Sequence, residues 1–168
     1  MKIVAFDPRR HYRTGFACGH DGLDDYLKRY ASQTLRNRLA RVYVAEDDEG
    51  KVLGYYTLSA ASLGRDELPE SLARTLPKYP VPAVLIRRMA SDRQARASGL
   101  RIGSHLLIHA LKQALRAADM IGIQCVIVDS KPEAVAFYRH FGFIPLTDDG
   151  LKLYLPVSTI KTLDGRDD

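Results

Sequence analysis

From near residue 21, Leu23, Tyr26, Leu27, Tyr30, Thr34 and Leu35 recur at the spacing of one helix face, while Lys28, Arg29, Arg36 and Arg38 fall on the others. The period then shortens. Residues 41–46 alternate as a strand, Asp47-Asp48-Glu49-Gly50 supplies a turn, and 52–59 returns as the second arm of a hairpin. A section with Pro69, Pro77, Pro80 and Pro82 reads as a loop holding a short helix over 66–75. Residues 83–90 read as a buried strand, and 91–101 is polar enough to predict a loop. Ile102, Leu106, Ala110, Leu111, Ala114 and Leu115 mark a long amphipathic helix. A compact strand follows over 125–128, and Pro132 suits the first turn of a helix that carries Val135, Phe137 and Tyr138 and stops near Gly142. Residues 143–146 and 151–155 predict a final hairpin. Strands alternate with helices yet hairpins intervene, so the expected class is α/β (α+β), with a mixed sheet flanked by helices. Without repeats or linkers, 1–163 reads as a single domain and 164–168 as a frayed tail.

Composition narrows the classes without choosing a function. The 168 residues are 46% hydrophobic and 27% charged, which excludes a disordered chain. No apolar run approaches the ~20 residues that span a bilayer, and the first residues lack a signal-peptide pattern, so the expected compartment is cytoplasmic, with no membrane partner. Cys18 and Cys125 lack metal-ligand spacing; no metal is expected, and both read as reduced, structural thiols. The net charge of +5 favours polyanions, either nucleic acid or a phosphorylated cofactor.

Two segments bear candidate chemistry. In the run from Leu85 to Leu107 a strand passes through a glycine-containing loop, with Gly99 and Gly103, into a helix. A helix start offers unpaired N–H groups and a positive dipole end that suit a pyrophosphate, although any loop-to-helix junction has the same outline. In the segment Ala134-Val-Ala-Phe-Tyr-Arg-His-Phe-Gly-Phe-Ile-Pro145, Phe137, Phe141 and Phe143 read as core. Tyr138 has two open readings: another core ring, or a phenol that protonates a leaving thiolate.

Together these segments resemble the GCN5-related N-acetyltransferase (GNAT) superfamily over roughly 83–145, with its mainly antiparallel mixed sheet. The resemblance implies acetyl-CoA as cosubstrate, bound by Ser98, Gly99, Leu100, Arg101, Ile102, Gly103 and Ser104. It also implies a pantetheine arm along the preceding strand at Met89 and Ala90, and Tyr138 as general acid. The superfamily loop reads Gln/Arg-x-x-Gly-x-Gly/Ala; here Ser98 stands for the first residue and Arg101 for a glycine. The expectation is that position 101 needs no positive φ and that its guanidinium adds a phosphate contact.

Further motifs, Phe16-Ala-Cys18-Gly19-His-Asp-Gly-Leu23-Asp24-Asp-Tyr26-Leu27, Gly54-Tyr-Tyr-Thr-Leu-Ser59 and Lys78-Tyr79-Pro80-Val81-Pro82, resemble the acetyltransferase toxins of bacterial toxin–antitoxin pairs. That resemblance implies acetylation of the α-amine of aminoacyl-tRNA, a homodimer and a ribbon-helix-helix antitoxin. The tRNA contacts would come from Arg87, Arg88, Arg93 and Arg96, and from Lys28, Arg29 and Arg36 on the early helix, where a solvated face is the alternative. Two other readings stay open: an acetyltransferase for a small amine or protein N-terminus, and a non-catalytic GNAT-fold module that binds acyl-CoA or a partner.

Overall fold

The computed structural model describes residues 1–76, 78 and 80–165; Pro77, Tyr79 and the end of the expected frayed tail lie outside the described residues. In chain order the elements are β1 (Lys2–Ala5), α1 (Asp21–Asp25), a π turn (Tyr26–Tyr30), α2 (Ala31–Arg36), β2 (Arg41–Glu46) and β3 (Val52–Leu63). Next come α3 (Glu70–Ala73), β4 (Val81–Ser91), α4 (Arg93–Ala97), α5 (Ile102–Met120) and β5 (Cys125–Asp129). The chain closes with α6 (Val135–His140), β6 (Ile144–Pro145), β7 (Lys152–Pro156) and α7 (Val157–Leu163). The strand order is β1-β2-β3-β4-β5-β7-β6. β4 and β5 pair in parallel, whereas β1/β2, β2/β3, β5/β7 and β6/β7 are antiparallel. The fold class is the one expected.

The chain divides into two compact units, residues 1–59 with 88–110, and 60–87 with 111–168. In the first, β2 and β3 form the predicted hairpin, with a register shift between Ala45 and Glu46. Its core gathers Phe6, Phe16, Tyr26, Leu27, Val44 and Tyr55. The early helix buries Tyr26 and Leu27 as its period predicts and half-buries Leu23, Thr34 and Leu35, but it also buries Ala31, leaves Tyr30 exposed and widens to a π turn over Tyr26–Tyr30. Gly54 fixes how closely α5 approaches β3. A Cβ there would stand 2.8 Å from Ile102 Cγ2 and 2.9 Å from the Ala90 carbonyl oxygen. Glycine is needed at this position because backbone and helix already fill the space.

The second unit is built on β5. Residues Ala83 to Ile86 of β4 pair with Cys125 to Val128 on one side, and β7 pairs on the other. Leu63, Leu85, Cys125, Ile127 and Tyr154 pack into its core. The helix expected over 66–75 is smaller in the structure: a 3-10 turn at Arg65–Glu67 and the four-residue α3.

Candidate active site

The expected polar loop at 91–101 contains a helix, and a buried carboxylate starts it. Asp92 Oδ2 accepts hydrogen bonds from the backbone N–H of Gln94 (3.1 Å) and Ala95 (3.3 Å), capping α4. Its Oδ1 accepts from the Ala17 N–H at 3.0 Å, and the Arg93 N–H donates to the Ala17 carbonyl at 2.9 Å. Cys18 is held in the same way: its N–H donates to Asp24 Oδ1 (2.9 Å), and its carbonyl accepts from Arg96 Nη2 (2.7 Å). Every backbone polar group of Ala17 and Cys18 therefore has a partner, and the motif around Phe16 to Asp24 becomes a latch for α4. Asp92 was missed in the sequence. Its signal was an Asp before a short polar run, without the apolar period that marks longer helices.

Beyond α4, Ser98 donates its N–H to the Ala95 carbonyl and Gly99 to the Arg96 carbonyl, at 3.2 and 3.3 Å. These two amides finish α4, so among the expected loop residues the backbone donors open to an anion begin at Leu100. The first hydrogen bond of α5 runs from the His105 N–H to the Arg101 carbonyl at 3.2 Å. The N–H groups of Ile102, Gly103 and Ser104 precede it and have no intrahelical acceptor, which is the anion-binding feature of a helix start.

Arg101 requires a correction. Its φ is +51°, and Gly99 has φ +80°. The position does adopt the left-handed conformation that a glycine would favour, and arginine holds it at a cost of roughly 1–2 kcal/mol. The side chain is exposed, so no packing compels it to lie there. Met89 is half-buried and Ala90 buried near the end of β4. The Asp92 N–H, just past this strand, donates to the Leu53 carbonyl at 2.8 Å.

In the second unit, α6 ends in a Schellman motif. Gly142 (φ +100°) donates its N–H to the Arg139 carbonyl at 3.0 Å, and Phe143 donates to the Tyr138 carbonyl at 3.3 Å. The hydrophobic contact that accompanies such a stop is here Phe143 against Tyr138, edge to face at 5.7 Å between centroids. Phe137 meets the same ring at 5.2 Å. The helix stop thus orients Tyr138, and burial pushes its phenol up to about 12. At neutral pH the group is a proton donor.

The basic residues separate into kinds. Arg87, Arg93, Lys28, Arg29 and Arg36 are exposed. Arg96 is exposed but ties down Cys18. Arg88 is half-buried, its guanidinium 3.8 Å from the centre of the Tyr26 ring. Cys18 and Cys125 are buried, with thiols pushed up to about 11 and 12 chiefly by desolvation, which disfavours the thiolate an acyl carrier needs. Among the described residues no group of three or more side chains could hold a metal ion, and no helix is long and apolar enough to cross a membrane.

Comparison with known proteins gives a family and a set of relatives. The acetyltransferase (GNAT) domain family matches residues 38–145. The chain is 34% identical to "Probable toxin TacT" of Sinorhizobium fredii, covering 97% of this chain and 94% of that protein. It is 37% identical to the "tRNA-acetylating toxin" of Mycobacterium tuberculosis, across 90% of each. The solved structure of AtaT complexed with acetyl-methionyl-tRNAfMet superposes with a TM-score of 0.86 at 30% identity, covering 97% of this chain and 98% of that one. A tyrosine-to-phenylalanine mutant of AtaT, bound to the C-terminus of the antitoxin AtaR and acetyl-CoA, gives 0.82 at 26% identity, covering 98% of each chain.

Proposed function

From the premise that this chain belongs to the acetyltransferase (GNAT) domain family, we propose that it transfers acetyl from acetyl-CoA to the α-amine of aminoacyl-tRNA and so blocks translation as a toxin. The observation that carries the cosubstrate is the start of α5, where the latched α4 and the left-handed turns at Gly99 and Arg101 precede amides without helical partners. Those of Leu100 to Ser104 take the diphosphate, with the Arg101 guanidinium as a further donor.

The amine nitrogen attacks the thioester carbon. A C–N bond forms, the C–S bond breaks, and the acylated nitrogen gives up its proton to solvent water. Backbone N–H groups at Met89 and Ala90 support the oxyanion. Tyr138 protonates the departing sulfur and is reprotonated from solvent. An ordinary thiol has a pKa of about 8.5, well below this phenol, so the transfer is favourable only where the sulfur is itself desolvated. The acceptor needs little help from a base: an α-amine titrates near about 8, against about 10.4 for lysine.

Arg87, Arg88, Arg93 and Arg96, together with Lys28, Arg29 and Arg36, contact tRNA phosphates. Residues 1–163 act as one catalytic domain, dimeric and cytoplasmic, neutralised by a ribbon-helix-helix antitoxin whose gene lies beside this one. Incubation with radiolabelled acetyl-CoA and either charged or uncharged tRNA tests the reading. Label should enter charged tRNA alone; label entering a free amine or a protein N-terminus instead would replace the substrate.

A further inference from the structure

The segment from Arg93 to Arg101 carries the chain into the start of α5, yet it buries only Ala95. Leu100 is 46% exposed, and a Cβ at Gly99 would meet nothing within 4 Å. A five-residue helix has little stability of its own, so its course is set by what it is tied to. Ahead of the turn the ties are polar and reach two residues of another segment: Asp92 holds Ala17, and Arg96 holds the Cys18 carbonyl. Cys18 is fixed in turn from α1. Its N–H donates to Asp24 Oδ1 at 2.9 Å, and the Asp24 N–H donates to the His20 carbonyl at 3.1 Å, closing the chain between them. Beside Asp24, the buried Tyr55 of β3 donates its hydroxyl to the Leu23 carbonyl at 2.6 Å, which pins α1 to the sheet.

We propose that Asp24 is a positioning residue for acetyl-CoA: through Cys18 and Arg96 it holds α4 where the amides of Leu100 to Ser104 converge on the diphosphate. A backbone N–H left without an acceptor is costly, so loss of the Asp24 oxygen makes the Cys18 backbone move to find another partner. The carbonyl that Arg96 grips moves with it. The short helix follows, because Ala95 alone does not anchor it. An anion site made of backbone dipoles loses affinity once those dipoles no longer point at one place. This role rests on the acetyl-CoA reading and deepens it, and it does not depend on which amine accepts the acetyl group.

The test is calorimetric titration of acetyl-CoA into the full chain without tRNA, so that no phosphate contact of Arg96 with tRNA enters the result. Asp24→Leu removes the acceptor and should weaken acetyl-CoA about tenfold. Asp24→Asn keeps a side-chain oxygen and should restore the affinity to within about twofold. In turnover, Asp24→Leu should raise KM for acetyl-CoA and leave kcat at saturation little changed. Arg96→Met keeps the stem without the donor; it breaks the same link from the other side and replaces Asp24→Leu if that variant does not fold. Unchanged affinity in folded Asp24→Leu, or equal losses in the Leu and Asn variants, would overturn the proposal. So would a lowered Tm or kcat with Kd intact, which is what a purely structural role gives. If the unaltered chain binds no acetyl-CoA, the cosubstrate reading falls, and amide exchange decides the link separately. Asp24→Leu, but not Asp24→Asn, should then speed exchange at Ser98 and Gly99, whose N–H groups finish α4. Equal exchange in both variants would overturn it.

Discussion

Between Leu100 and Ser104 the useful polarity belongs to the backbone, while around Tyr138 it belongs to one phenol set among rings. The first region holds its amides through polar contacts: Asp92 on Ala17, Arg96 on Cys18, and a turn through Gly99 and Arg101. The second holds its hydroxyl through a helix stop and two aromatic edges. A helix start can bind an anion whatever side chains cover it, so its chemistry tolerates substitution as long as the backbone keeps its course. The phenol has no such tolerance, because both its reactivity and its pKa come from one side chain and its surroundings.

The sharpest way to break the contrast is Tyr138→Phe. Loss of general-acid assistance should lower kcat about 100-fold while leaving acetyl-CoA affinity nearly intact. The pH profile gives a second check. Tyr138 must be protonated to act, and with its phenol at about 12 it stays so through the working range. Activity should therefore rise through about pH 8 as the α-amine loses its proton, then remain level to at least about pH 10. A decline between about pH 8 and 10 with the protein still folded would show that the essential acid loses its proton below the range to which burial raises the Tyr138 phenol.

Gly54→Ala attacks the backbone side. The added Cβ meets the Ala90 carbonyl, which cannot swing aside as a long side chain would. The expected cost is about 1–3 kcal/mol of stability, read by denaturant unfolding, with weaker acetyl-CoA binding as α5 is lifted from β3. Unchanged binding and stability would show that the helix start does not depend on this contact. Gly142→Ala tests the other region: a Cβ at positive φ should cost roughly 1–2 kcal/mol and lower kcat more than it changes acetyl-CoA affinity.

The sequence was most legible where one period ran long. The hairpin of β2 and β3, helix α5 and strand β5 each show an apolar pattern that only one element satisfies, and the glycine that stops α6 stands where a helix stop requires it. Short polar elements were not legible. Strand β1 has four residues, and α4 buries little beyond Ala95; neither is long enough to display a period. Helix α7 follows Pro156 directly at the chain's end and was likewise unseen. Around the candidate site, the helix that carries Tyr138 and the loop-to-helix junction could be located, but the contacts of Arg96 and Arg88 could not. Charge in a sequence points to solvent or phosphate, and only contacts reveal a carbonyl or an aromatic face as the partner.

Arg101 separates backbone from side chain within one residue. The turn wants glycine and has arginine, so Arg101→Gly removes the left-handed strain of roughly 1–2 kcal/mol and adds an unfolded-state entropy penalty of about 0.5–1 kcal/mol. The net change in stability should be small, between about zero and a 1.5 kcal/mol gain. If the guanidinium contacts the diphosphate, the same substitution should weaken acetyl-CoA about tenfold, an opposite sign in a second measurement. A protein that is more stable and binds acetyl-CoA equally well would mean that the arginine is tolerated in the turn without serving the ligand. One that loses affinity while keeping its Tm would mean that the strain at this position is offset by a contact made only when acetyl-CoA is bound.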